Sequence, residues 1–191
     1  MKDTEQKTTV SAKIIVDAFE KKIRDDLMRY LQNSDLVDSH IPECIDVEEC
    51  WSEIVRDYLP DGSREFSNYP MVSLGWMMFI GIAMAYFWDE DWQKYAEERK
   101  FYNLLRDRRG YDELDDAVVY DILKYEGEAA DKLAAVVGEC ASRVYSMLNR
   151  EQVTPGSSVA LGCYIAALHQ LYLAGMAMEL KTLGYKMTPL N

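Results

Sequence analysis

Residues 71–88, MVSLGWMMFIGIAMAYFW, form a run of eighteen residues without a formal charge, and the fold turns on how that run is read. As a helix it spans about 27 Å, close to the roughly 30 Å hydrocarbon layer of a bilayer. It can therefore be a membrane span, a wall of a cofactor groove, or the buried spine of a soluble bundle. Three features favour the spine. Trp76 lies inside the run and not at an interfacial position, and the flanks carry no one-sided excess of Lys or Arg. Gly, Ala, Ser and Met occupy many places that Leu, Ile and Val would hold against lipid. Small pairs such as Gly81 with Ala85 suit close approach of two backbones.

A second run resembles the first. Residues 157–178 are also free of formal charge, with Gly162 and Ala166 as their small pair and His169-Gln170 near the centre. The two runs open alike, Val72-Ser73-Leu74-Gly75 against Val159-Ala160-Leu161-Gly162. Upstream of each, Glu49-Cys50-Trp51-Ser52 with Val55 is similar to Glu139-Cys140-Ala141-Ser142 with Val144. An internal duplication with halves 11–110 and 111–191 is one reading, and chance similarity between helical segments is the other.

The remaining chain carries helical periodicity. After a polar tail over residues 1–10, Ile15, Phe19, Ile23, Leu27 and Leu31 recur four apart and predict an amphipathic helix. Asp46 with Glu49 reads as a capping box. It opens a helix with Val47, Cys50, Trp51, Ile54, Val55 and Tyr58 on one face, which Pro60-Asp61-Gly62 is expected to end. No Gly or Pro lies between Gly81 and Gly110, so the central helix either continues past residue 90 or breaks near 88–91; the break is the preferred reading. Leu114, Val118, Ile122 and Tyr125 mark a short helix, and Ala130 through Leu148 a longer one. A last helix is expected from Ser157 to Gly184. No alternating strand pattern of useful length occurs. The expected fold is all-α: a single domain over 11–191, of about six to eight helices, with 71–88 and 157–183 at its centre.

Composition narrows the functional classes. The chain has 191 residues, 49% apolar and 28% charged, which is a globular balance. A net charge of −12 repels nucleic-acid phosphate, so nucleic-acid binding is not expected. That charge suits a basic protein partner, and it equally suits plain solubility. Acidic amphipathic blocks alternate with the two charge-free runs: residues 1–70 carry net −7 and residues 89–156 net −6. The four cysteines, Cys44, Cys50, Cys140 and Cys163, show neither CxxC nor zinc spacing and read as free thiols. The polar N-terminus lacks the apolar stretch of a signal peptide, so a cytoplasmic location is expected.

No Gly-rich phosphate loop, GxSxG elbow, ExxH pair or Cys/His nucleophile spacing is present. Neither a metal nor another cofactor is expected, and the enzyme question stays open with the balance against catalysis. His169 is the residue that invites chemistry, because imidazole titrates near neutrality. The plainer reading makes it a neutral core histidine bonded to a tyrosine or a carbonyl. If a pocket lies between the two apolar helices, Trp76, Tyr86, His169 and Tyr172 would line it. Trp88, Trp92, Tyr95 and Tyr102 form an aromatic ridge suited to a homodimer seam. Arg106, Arg108 and Arg109 could receive an anion, or complement a helix C-terminus before Gly110. Asp46, Glu49 and Glu53 could share a cation or form a solvated face, and Asp112, Glu113, Asp115 and Asp116 cluster at a helix start. The expected function is that of a soluble interaction or self-associating module without catalysis. A ligand-binding or enzymatic bundle with a pocket near His169 is the alternative, and a membrane hairpin the third.

Overall fold

The computed structural model describes residues 2–40, 42 and 45–186, with side chains placed from Ser11 onward. Seven α-helices follow one another: α1 (Lys2–Asn33), α2 (Ile45–Asn68), α3 (Pro70–Ala96), α4 (Phe101–Arg106), α5 (Leu114–Asp116), α6 (Glu128–Arg150) and α7 (Ser158–Thr182). The short α5 is entered through a 3-10 turn, Tyr111–Glu113, and left through a π-helical segment, Ala117–Ile122. No strand occurs among the described residues, and the chain is an all-α bundle. Helix α1 begins at Lys2, so the segment expected as a tail is helical in its backbone.

The centre of the bundle is the pair α3 and α7. Every residue from Ser73 to Ala85 is buried, and so is nearly all of Cys163–Glu179. Burial on all sides is why neither run shows an amphipathic stripe. Both helices are long and apolar enough to cross a membrane, yet 78% and 67% of their apolar windows are buried within this chain. They run parallel. Ser73 meets Tyr164 near their starts, and further along Gly81 lies against Tyr172 and Met176. The contact is backbone on backbone. A Cβ on Gly81 would overlap the Tyr172 carbonyl oxygen, and one on Gly175 would overlap the Met78 carbonyl oxygen.

The other helices pack around this pair, but not symmetrically. Helix α3 carries both α2 and α6, whereas the principal outer neighbour of α7 is α1. Gly162 lets α1 approach, since a Cβ there would stand 2.8 Å from the Val16 side chain. The neighbours of one central helix are thus not repeated around the other, and this arrangement lends the sequence echo no support.

Two local expectations are corrected. Helix α2 does not stop at Pro60 but runs through it to Asn68. Proline removes one backbone N–H from the ladder, a loss that exposed helices rarely tolerate. Here tertiary contacts hold both sides of the defect. Tyr58 donates from its hydroxyl to the Ser73 carbonyl at 2.5 Å, Ser73 Oγ donates to the Gly62 carbonyl at 2.9 Å, and Tyr102 donates to Asp61 at 2.8 Å. Secondly, α2 opens at Ile45, which puts Asp46 inside the first turn and out of register for a capping box. There it still opposes the positive helix end. The break in the central helix falls at Asp91, with φ −157° and ψ 84°, and Asp91 Oδ1 accepts from the Lys94 N–H at 3.2 Å.

Candidate functional site

His169 lies on the face of α7 that meets α1 and α2. Its Nδ1 is 2.8 Å from Glu20 on α1 and its Nε2 is 3.0 Å from Glu48 on α2. Trp51 covers the ring, with centroids 4.9 Å apart. Gln170 donates to the same Glu20 oxygen at 2.8 Å and accepts from Arg24 Nε at 3.2 Å. Burial alone would push the His169 pKa down, but the hydrogen bond to Glu20 and the charge of Glu48 carry it above its ordinary value. Glu20 is pulled down, chiefly by its bond to His169 and against its own desolvation. Carboxylate oxygens accept, so both ring nitrogens are placed to donate, the arrangement that suits an imidazolium. The partners are thus carboxylates and not the tyrosine or backbone carbonyl expected for a core histidine. Glu20 and Glu48 are not among the residues that the sequence singles out, and nothing in their spacing distinguishes them from other surface acids.

Such a clasp has little left with which to do chemistry. Both ring nitrogens are engaged, and the clefts beside Trp76, beside Phe66 and beside Arg56 are lined by other residues. Tyr172 shares the Trp51 contact, at 5.5 Å between centroids, so His169 and Tyr172 do come together. Trp76 and Tyr86 lie elsewhere. Trp76 packs edge-on against Tyr111 at 5.2 Å, and Tyr86 lies against Phe87 near Glu90 and Glu179. The four pocket candidates therefore do not line one cavity.

The aromatic ridge also divides. Trp88 and Trp92 remain paired at 4.6 Å, with Trp92 exposed, but Tyr95 and Tyr102 are buried. The break at Asp91 shifts the helical register, turning Tyr95 onto Phe87, while α4 brings Tyr102 against Tyr58. A seam made of all four is thus ruled out. The arginines are occupied as well. Arg109 makes a two-pronged pair with Asp121, both bonds 2.7 Å, and Arg106 lies 3.5 Å from Asp61 and 3.2 Å from Asp107. Arg108 lies over Phe87 at 5.4 Å. Glu53 is paired with Arg56, and no group of three or more His, Cys, Asp or Glu that could hold a metal ion occurs among the described residues. Cys50, Cys140 and Cys163 are buried free thiols, and burial pushes Cys140 up to about 12, so it behaves as a small hydrophobe. Cys44 lies outside the described residues.

Glu179 is the one buried acid of α7. Desolvation, reinforced by the charge of Asp89, raises it to about 7. A signal for it exists in the sequence: it is the only acid in residues 157–191.

Exposed apolar residues lie on several elements, among them Ile45, Trp92 and Tyr120, and four of them stand at the starts of α3 and α7. Tyr69, Met71, Val72 and Leu161 are all exposed there. Two clefts open beside them. One, of about 230 Å³, runs between α3 and α6 and includes Trp76, Val137 and Gly138. The other, of about 400 Å³, is bounded by Ser63, Phe66, Ser157, Leu161 and Tyr164. No protein-family model matches this chain, and no curated protein or solved structure matches it either.

Proposed function

We propose that this protein works as a soluble self-associating helical module, without chemistry of its own, through the end of the bundle where α3 and α7 begin. One observation carries the reading: Tyr69, Met71 and Val72 at the start of α3 and Leu161 at the start of α7 are each exposed on a chain of net charge −12. Segments 66–88 and 152–178, which build that end, hold no Asp, Glu, Lys or Arg. Two acidic copies repel over most of their surfaces, and the exposed apolar residues at these two helix starts are where they can meet with few like charges facing each other. The adjoining cleft beside Phe66 and Tyr164 offers a recess for an apolar side chain of the second copy. Burial of the long apolar helices within their own chain supports the soluble reading over the membrane hairpin.

Sedimentation equilibrium over a wide concentration range tests the proposal. The wild type should sediment as a dimer or larger, and Leu161→Glu, a change at a half-exposed surface position, should sediment as a monomer with unaltered helicity. A wild type that stays monomeric at high concentration overturns it, as does a Leu161→Glu variant that still dimerises.

A further inference from the structure

The cleft between α3 and α6 differs chemically from the one beside it. Trp76, Phe79 and Val137 form its apolar wall, and two glycines, Gly75 and Gly138, leave it open. An added Cβ on Gly138 would meet nothing within 4 Å. Two polar groups at this cleft have no partner among the described residues. Asp115, half-buried at its edge, makes no hydrogen bond or ion pair, although its neighbour Asp116 faces Arg109 at 3.9 Å. Trp76 is 3% exposed, and its indole N–H has no acceptor. That N–H is itself shielded from solvent, so the polar group left open to a ligand at this cleft is the Asp115 carboxylate.

We infer that this cleft binds a small organic amine: an apolar body against Trp76, Phe79 and Val137, with its ammonium group on Asp115. The volume of about 230 Å³ falls below the roughly 300 Å³ at which drug-sized sites begin, so the occupant is fragment-sized. A metal cation does not fit, because one carboxylate among apolar walls cannot supply the six or so oxygens that a hard cation takes. An anionic ligand is opposed by Asp115 itself and by the net charge of −6 on residues 89–156. An ammonium group gains from both, and from the aromatic wall.

The test uses the intact protein and three probes of similar shape: phenethylamine, 2-phenylethanol and 3-phenylpropionate. The indole N–H of Trp76 is the reporter, assigned in a two-dimensional NMR spectrum through Trp76→Phe. Phenethylamine should shift that resonance saturably, the alcohol should bind about tenfold more weakly, and the carboxylate should not bind. Asp115→Asn should bring the amine down to the level of the alcohol. Gly138→Leu, which fills the cleft, should abolish binding, and Ala134→Leu on the exposed lip serves the same purpose if Gly138→Leu melts early. Equal binding of amine and alcohol, wild-type affinity in Asp115→Asn, or no saturable shift at Trp76 in the millimolar range each overturns the inference.

Discussion

Toward α3, helix α7 offers Gly175 and the backbone of Tyr172 and Met176; toward α1 and α2 it offers His169 and Gln170, joined to Glu20, Glu48 and Arg24. The first face is specified by shape. Two backbones touch, the surrounding side chains are mostly apolar, with Ser73 and Tyr164 bonded at 2.7 Å near one end, and the tolerance is less than one methyl group. The second face is specified by charge, with a cation seated between anions contributed by two other helices. A steric seam fixes how close α7 comes to its parallel partner. A polar clasp decides which neighbours may lie on its other side and couples that choice to pH.

The seam should be the more sensitive of the two. Gly81→Ala forces a methyl group into the Tyr172 carbonyl, and because backbone cannot rotate away, the helices must separate. A loss of about 3 kcal/mol is expected by urea unfolding. Gly175→Ala acts on the same seam, so the double variant should cost less than the sum. A Gly81→Ala protein as stable as wild type would remove the steric side of the comparison.

The clasp comes next. His169→Gln keeps a hydrogen-bonding side chain but takes away the cation, at a cost of about 1–2 kcal/mol at pH 6. The sign with pH follows from two shifts. His169, raised above its ordinary 6.5, contributes stability below that value, and the contribution fades as pH rises through its folded-state pKa. Glu20, lowered from its ordinary 4.5, contributes above 4.5 and fades as pH falls through its folded-state pKa. The clasp is therefore strongest between about pH 4.5 and 6.5, and the deficit of His169→Gln should shrink by pH 9. A deficit that is flat from pH 5 to 9 would show that the histidine acts by packing on Trp51 and not by charge.

Glu179, ten residues further along α7, sharpens the contrast because no cation answers it among the described residues. Its folded-state pKa of about 7 stands above the ordinary 4.5, so the unfolded chain gives up this proton first as pH rises. Stability should fall between pH 4.5 and 7 and stay reduced above that. Glu179→Gln should leave stability unchanged at pH 4 and raise it by about 1–2 kcal/mol at pH 8. The smallest effect belongs to Gly138, a helical glycine with open space where its Cβ would stand. Gly138→Ala should stabilise by about 0.5–1 kcal/mol, opposite in sign to Gly81→Ala. Thermal melts of the two glycine variants side by side give the plainest reading of seam against surface.

Much of this bundle is legible in the sequence alone. The stripe of Ile15, Phe19, Ile23, Leu27 and Leu31 announces α1, and Ser157 caps α7 where expected, accepting from the Ala160 N–H at 3.1 Å. Gly81 and Gly162 stand out as small residues in long apolar helices, and both do sit at close approaches. Pro60 misleads because local propensity says stop, while Tyr58, Ser73 and Tyr102 hold the helix from outside. The ridge from Trp88 to Tyr102 misleads because periodicity assumes one continuous helix, and the turn at Asp91 resets it.

The candidate sites were less legible, for a physical reason. Glu20 and Glu48 are 28 residues apart in sequence and meet only through a histidine more than a hundred residues later. Asp115 looks like its acidic neighbours until Asp116 is found facing Arg109 and Asp115 is found facing a cleft. By itself, the sequence determined that the protein is helical, acidic, and centred on two charge-free segments, because helix formation and burial follow local period and composition. Which acids are paired, which arginines are spent, and where apolar surface stays open were decided by tertiary structure alone, since each depends on what a distant helix brings within a few ångströms.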